Sequence, residues 1–131
     1  VVAYSAICAH KMSYPTRQIS FISYRAEAQR GGKRSRVIHC CSERSEYDPA
    51  HGAAVISGPA RQPLAAILLD YVEQADELYA VGTLGGEMFN NFFTKFEFRL
   101  SMEFGGAAHQ PAGDACLVIE LTKYSRQQMQ C

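Results

Sequence analysis

The sequence predicts an all-β domain followed by a short helical or irregular extension. Residues 18–24 alternate polar with apolar side chains, a pattern typical of a half-buried strand. Turn residues such as Gly31-Gly32 and Gly58-Pro59 separate this run from other short apolar runs. After Gly85-Gly86 apolar residues recur at helical spacing instead, so we expect the secondary structure to change there.

Each element follows from its local pattern, in chain order. Strands are expected at residues 1–7, 18–24, 36–40 and 53–57, with a flexible turn at 30–33. A hairpin is expected from residues 64–72 and 78–81 around a polar turn at 73–77. The run Met88, Phe89, Phe92, Phe93 and Phe96 predicts a short amphipathic helix that packs on a core or docks. A loop at 105–113, a last strand at 116–121 and a polar tail at 123–131 complete the chain.

Chain length, net charge and the length of the apolar runs exclude several classes of protein. With 131 residues, of which 47% are hydrophobic, the chain can form one domain with a core. Thirteen basic and thirteen acidic residues cancel, which argues against nucleic acid as a partner. The apolar runs are far shorter than the roughly 20 residues that cross a bilayer, so no membrane span is expected. Because the sequence opens on Val1 inside an apolar run, we expect a mature or truncated chain whose N-terminal part is missing.

Candidate metal ligands lie in two predicted loops at strand ends. Cys8-x-His10 follows the first strand, and Cys40-Cys41 begins the loop after the strand at 36–40. A thiolate and an imidazole two residues apart can point toward two different metal atoms, which suits a two-iron cluster. Zinc uses the same residue types but usually paired ligand doublets, and no histidine follows Cys40-Cys41 at a chelating spacing.

The loops taken together resemble those of the Rieske iron–sulfur proteins. That family carries a Cys-x-His loop, a Cys-x-x-His-x-Ser-x-Tyr-Asp loop and a third loop rich in Gly, Pro and Ala. The matching residues here are Cys8-x-His10, Cys40 with Ser45-x-Tyr47-Asp48, and Gly58-Pro59-Ala60. Residues 2–10, 46–48 and 78–82 also resemble stretches of the small subunit of arsenite oxidase. The resemblance implies a Rieske-like domain at residues 1–86 and an extension at 87–131 that packs on the domain or on a partner.

The resemblance also implies roles for individual residues. Cys8 and Cys40 would bind the inner iron of a [2Fe–2S] cluster, and His10 would bind the outer iron. Ser45 would donate a hydrogen bond to a bridging sulfide, and Tyr47 to a ligand sulfur, which together raise the reduction potential. The loop Gly58, Pro59 and Ala60 would cover the cluster.

Two positions depart from the family pattern. The second histidine on the outer iron corresponds to Glu43 here, or to Arg44 after a one-residue shift, and arginine cannot act as a ligand. The two cysteines that link the loops in many Rieske proteins correspond to Ser13 and Ser42.

The missing histidine leaves four interpretations open. Glu43 binds the iron through oxygen; Cys41 supplies a third thiolate; His39 or His51 reaches the iron; or the domain keeps the fold and has lost the cluster. His39 is expected to point away from Cys40, since neighbouring residues of a strand face opposite sides.

The resemblance implies a function in electron transfer, as a subunit of an oxidoreductase more than as a catalyst on its own, since this length leaves no room for the catalytic domain that a Rieske oxygenase carries. The expected partner is a larger oxidoreductase subunit or a cytochrome, in the periplasm or on the outer face of a membrane. The alternative is a clusterless docking subunit of an oxidoreductase, which would use the aromatic segment 88–98 as its contact surface.

Overall fold

The computed structural model describes residues 1–16, 19–27, 34–111, 113–119, 123 and 127–128. The described chain forms small β-sheets and one long helix. The strands are β1 Ala3–Tyr4, β2 Ile19–Ser20, β3 Ile22–Arg25, β4 Val37–Cys40, β5 Glu46–Asp48, β6 Ala54–Ser57, β7 Ala66–Val72, β8 Glu77–Leu84 and β9 Gln127–Gln128. Helix α1 spans Glu87–Phe104, and a 3-10 turn continues it through Gly105–His109.

The antiparallel sheet β3-β4-β5-β6 places two of the predicted site residues, Cys40 and Tyr47, on one face. Ile22 pairs with Cys40, and Ile38 pairs with Tyr47, so these side chains lie on the same side of the sheet. Together with Cys8 and Leu64 they form a hydrophobic core. His39 pairs with Glu46 in the alternate row, so both lie on the opposite face.

The second sheet, β1-β7-β8, is an antiparallel hairpin with the short strand β1 added at its edge. The hairpin turn includes Asp76 with a φ of 52°, and the Tyr71 hydroxyl donates a hydrogen bond to the Asp76 carboxylate at 2.8 Å. β1 leads directly into the loop that begins at Cys8. This sheet therefore sets the starting point of the first candidate ligand loop.

Helix α1 docks on the segment that follows His10. Met88, Phe92 and Leu100 are its buried residues, and the Tyr14 ring stacks on Phe92 with centroids 5.6 Å apart. The Arg99 guanidinium lies 3.9 Å from the centre of the same tyrosine ring. The helix bends at Phe96, whose φ and ψ are −114° and 16°. None of the described helices is long and apolar enough to span a membrane.

The prediction of small antiparallel sheets followed by a helix is confirmed, with differences in the bounds. The strand expected at residues 1–7 is limited to Ala3–Tyr4, and the run at 18–24 is interrupted at Phe21. Glu46–Asp48 forms a strand where a loop was expected, because Tyr47 packs into the core and pairs with Ile38. The helix continues to Phe104, well beyond the expected two turns.

The expected strand at 116–121 is wrong where the structure describes it. Residues 116–119 have no regular structure, and Leu117 and Val118 are exposed, because this run pairs with no strand in the described chain. The turn at 30–33 lies outside the described residues, and so does most of the tail at 123–131. Within that tail, Gln127–Gln128 pairs in parallel with Ile19–Ser20.

Candidate metal centre

The most deeply buried large side chains of the described residues are four predicted site residues. Cys8 is 1% exposed, and Cys40, Ser45 and Tyr47 are 0% exposed. Two thiols and two hydroxyls thus occupy the centre of a hydrophobic core. Buried polar groups require hydrogen-bond or metal partners. The cluster of these thiols and hydroxyls therefore marks the candidate site.

The two cysteine loops share one backbone design. In the first loop, residues 8–12, the Met12 amide donates to the Cys8 carbonyl at 3.0 Å, and Met12 has a φ of 49°. In the second loop, residues 40–45, the Arg44 amide donates to the Cys40 carbonyl at 2.7 Å, and Arg44 has a φ of 58°. Each cysteine therefore begins a tight turn that a left-handed residue closes four positions later.

The tips of the two loops face each other. The Ser13 and Ser42 hydroxyls are hydrogen-bonded, with 2.9 Å between their oxygens. His10 Nδ1 lies 3.2 Å from Glu43 Oε2. The positions that the resemblance assigned to a disulfide and to two outer ligands are thus in direct contact, although about thirty residues separate them in sequence.

The Glu43 carboxylate also pairs with a lysine that the sequence analysis did not consider. Lys11 Nζ lies 2.9 Å from Glu43 Oε1. The hydrogen bond and the positive charge of Lys11 lower the pKa of Glu43, and the contact with His10 acts in the same direction. Glu43 is therefore an anion at neutral pH. No sequence signal points to Lys11, because its partner Glu43 lies in the other loop.

The two buried thiols shift each other's pKa in opposite directions. The hydrogen bond from Cys40 is the largest effect that lowers the pKa of Cys8 to about 5, with backbone amides of the loop and the Tyr47 hydroxyl assisting. The same hydrogen bond, together with burial, raises the pKa of Cys40. Burial and the charge on Cys8 raise the pKa of Tyr47, so its phenol stays protonated. The Tyr47 oxygen lies 3.8 Å from Cys8 Sγ and can donate to it.

The third loop, residues 58–60, packs directly on the second. The Ala60 amide donates to Ser45 Oγ at 3.2 Å. Gly58 has a φ of 91°, and a Cβ placed on it would lie 2.5 Å from the Ser45 Cα. Only glycine permits this approach. Pro59 lies between the two contacts and is exposed.

The alternative ligands lie elsewhere. His39 is buried on the opposite face of β4, where its Nδ1 lies 2.9 Å from an Arg25 guanidinium nitrogen. His51 is exposed and pairs with Asp48 at 2.8 Å. Cys41 is disulfide-bonded, so its sulfur is not a free thiolate. Of the alternatives to Glu43, the structure brings none into contact with His10.

The donor atoms form two pairs with suitable chemistry for two metal atoms. Cys8 and Cys40 supply two sulfurs, and His10 and Glu43 supply a nitrogen and an oxygen. Taking tetrahedral zinc as a guide, nitrogen and oxygen ligands about 2.0–2.1 Å from one metal lie about 3.3 Å apart. The 3.2 Å between His10 Nδ1 and Glu43 Oε2 is that of a hydrogen-bonded ion pair, and it is also close to that separation. Within the described ranges, no three His, Cys, Asp or Glu side chains surround a single point closely enough to bind one ion.

A cavity of about 420 Å³ lies beside the first loop. His10 and Met12 line it together with Arg61 and with Met88 and Asn91 of helix α1. The first turns of α1, which lie in the expected extension at 87–131, thus form part of the surroundings of His10.

The chain was compared with family models and with solved structures. No family model matches the chain. Among solved structures, the chain is similar to the soluble domain of the Rieske protein II (soxF) from Sulfolobus acidocaldarius, at 34% sequence identity and with a TM-score of 0.46. The match covers 63% of this chain and 40% of that chain, so this chain spans less than half the length of that structure.

Proposed function

We propose that the chain is an electron-transfer subunit or carrier with a Rieske-type [2Fe–2S] cluster. In this proposal Cys8 and Cys40 bind the inner iron, and His10 and Glu43 bind the outer iron. The observation that carries it is the arrangement of two donor pairs on facing loops, a buried thiol pair behind a more exposed His10–Glu43 pair. When bound, such a cluster accepts and releases one electron.

The surrounding residues support a site adapted to hold negative charge. The 3.8 Å contact between the Tyr47 hydroxyl and Cys8 Sγ supports a hydrogen bond to a ligand sulfur. Ser45 accepts the Ala60 amide, which leaves its own hydrogen to donate. Donors of this kind favour the more negative, reduced state and therefore raise the reduction potential.

Glu43, in contrast, should lower the reduction potential. A carboxylate brings one negative charge that a neutral imidazole does not, so the potential should lie below that of a centre with two histidines. Only His10 then supplies an outer imidazole that can lose a proton on oxidation. Proton coupling should therefore be limited to one proton per electron.

The proposed partner is a larger oxidoreductase subunit or a cytochrome, and the proposed location is the periplasm or the outer face of a membrane. The stretches that resemble the arsenite oxidase small subunit support a subunit role of this kind. The clusterless docking module receives less support. In the aromatic segment Met88 and Phe92 pack against the chain itself, although Phe98 is 80% exposed.

Anaerobic reconstitution with ferrous iron and sulfide tests the proposal. The parent chain should bind two iron and two sulfide per molecule and develop visible absorption. Cys8→Ala and Cys40→Ala should abolish both, while Cys116→Ala is the matched control because Cys116 is a free, exposed cysteine. A parent chain that binds no iron would favour the clusterless docking module. Iron and sulfide that survive in both core variants would show that the cysteines are not the ligands.

A further inference from the structure

The two oxygens of the Glu43 carboxylate have different partners. Oε2 faces His10 Nδ1 at 3.2 Å, whereas Oε1 accepts from Lys11 Nζ at 2.9 Å and from the Ser42 hydroxyl at 3.4 Å. The Glu43 side chain is 10% exposed and that of Lys11 is 65% exposed. The carboxylate thus turns one oxygen toward the predicted ligand histidine and the other toward an ammonium group.

The position of Lys11 is fixed by the backbone as well as by this ion pair. Lys11 lies between His10 and the left-handed Met12 in the first loop. Its carbonyl oxygen accepts a hydrogen bond from the Lys95 ammonium of helix α1. The backbone that carries Lys11 is therefore held from both the loop and the helix.

We infer that Lys11 is a positioning residue that makes Glu43 a one-oxygen, charge-compensated ligand of the outer metal atom. This inference rests on the proposed function. The ammonium group occupies Oε1, which leaves Oε2 as the oxygen that binds beside His10. It also offsets part of the negative charge that a carboxylate adds where an imidazole is expected. Partners that hydrogen-bond to ligating carboxylates contribute to metal affinity in the same way.

The test compares Lys11→Met with Lys11→Arg, which keeps both the charge and the donor. Arg34→Met is the charge-matched control, because Arg34 precedes β4 at the end of that strand opposite to Cys40. Two quantities are measured on the reconstituted protein: the midpoint potential and the rate of iron loss to a chelator. Lys11→Met should lower the potential and lose iron about tenfold faster or more. Lys11→Arg should restore both, and Arg34→Met should match the parent.

The same Lys11→Met substitution in a Glu43→His chain distinguishes an effect on the Glu43 carboxylate from a general effect of Lys11 on stability. In Glu43→His there is no carboxylate to compensate, so adding Lys11→Met should shift the potential less than it does in the parent. A Lys11→Met chain that does not load should load again in that background. Equal potentials and iron loss in Lys11→Met and Arg34→Met would overturn the inference, since Lys11 would then form an ordinary surface ion pair. A parent that binds no cluster would instead refute the proposed function itself, and this inference with it.

Discussion

Gly58 brings the third loop against the second, and its replacement by alanine should destabilise the fold strongly. Its φ of 91° lies beyond the left-handed region that other residues occupy, which costs about 1–3 kcal/mol for alanine. The new Cβ would lie 2.5 Å from the Ser45 Cα and 2.8 Å from the Arg44 carbonyl oxygen. Backbone atoms cannot rotate away, so relief requires the loops to separate, at about 1–3 kcal/mol. Separation also weakens the bond from Ala60 to Ser45, worth about 1 kcal/mol.

The expected loss in free energy of unfolding is therefore about 3–7 kcal/mol. Gly52→Ala is the matched control, because Gly52 also has a positive φ of 64° but no atom within 4 Å of a Cβ. Its loss should be only about 1–2 kcal/mol. Urea unfolding followed by circular dichroism measures both variants against the parent chain. If Gly58→Ala loses no more stability than Gly52→Ala, the close approach of the two loops is wrong.

Three further predictions test the two loops and the helix. Ser13→Cys with Ser42→Cys should form a disulfide under oxidising conditions, because the two hydroxyls are 2.9 Å apart, and should stabilise the fold by about 3–4 kcal/mol relative to its reduced form. Because Cys41 is disulfide-bonded, the parent chain is also measured with and without reductant, and a double variant that gains no more stability from oxidation than the parent would contradict the facing loops. Tyr47→Phe should lower the midpoint potential of the reconstituted protein, since a donor to a ligand sulfur is removed; an unchanged potential would exclude that bond. The hydrogen bond from Arg99 lowers the pKa of Glu103. The contact therefore stabilises the fold at pH values above the ordinary glutamate pKa, and this stabilisation is lost as the pH falls through the lowered pKa. Glu103→Gln should therefore be less stable than the parent at neutral pH and equal to it in strong acid, and a difference that persists in acid would refute this cause.

Local patterns predicted the strands that alternate over several residues and the helix that repeats apolar residues. β3 follows from alternation, β4 from its place as a returning strand after the expected turn at 30–33, and α1 from its apolar spacing. β5 was missed because three residues give too short a pattern, and only its pairing with β4 makes Glu46–Asp48 a strand. Residues 116–119 were predicted as a strand because an apolar run alone does not distinguish a paired strand from an exposed segment.

The candidate site depended on contacts that periodicity does not show. The resemblance supplied Cys8, His10 and Cys40 as candidate ligands and aligned Glu43 with a histidine position. It thereby implied that Glu43 lies near His10, 33 positions away, but not that the two side chains form an ion pair at 3.2 Å. The role of Lys11 was also invisible, since its partner lies in the other loop. The packing of the core beneath the two loops determines which of their side chains come into contact.

The midpoint potential of the reconstituted chain as a function of pH tests the proposed ligand set most directly. With His10 as the one outer imidazole, voltammetry from neutral to strongly alkaline pH should give a single redox wave. Its potential should fall by no more than about 59 mV per pH unit, which corresponds to one proton per electron. A slope that approaches two protons per electron would show that a second histidine binds the outer iron in place of Glu43. The absence of any redox wave would contradict the cluster itself.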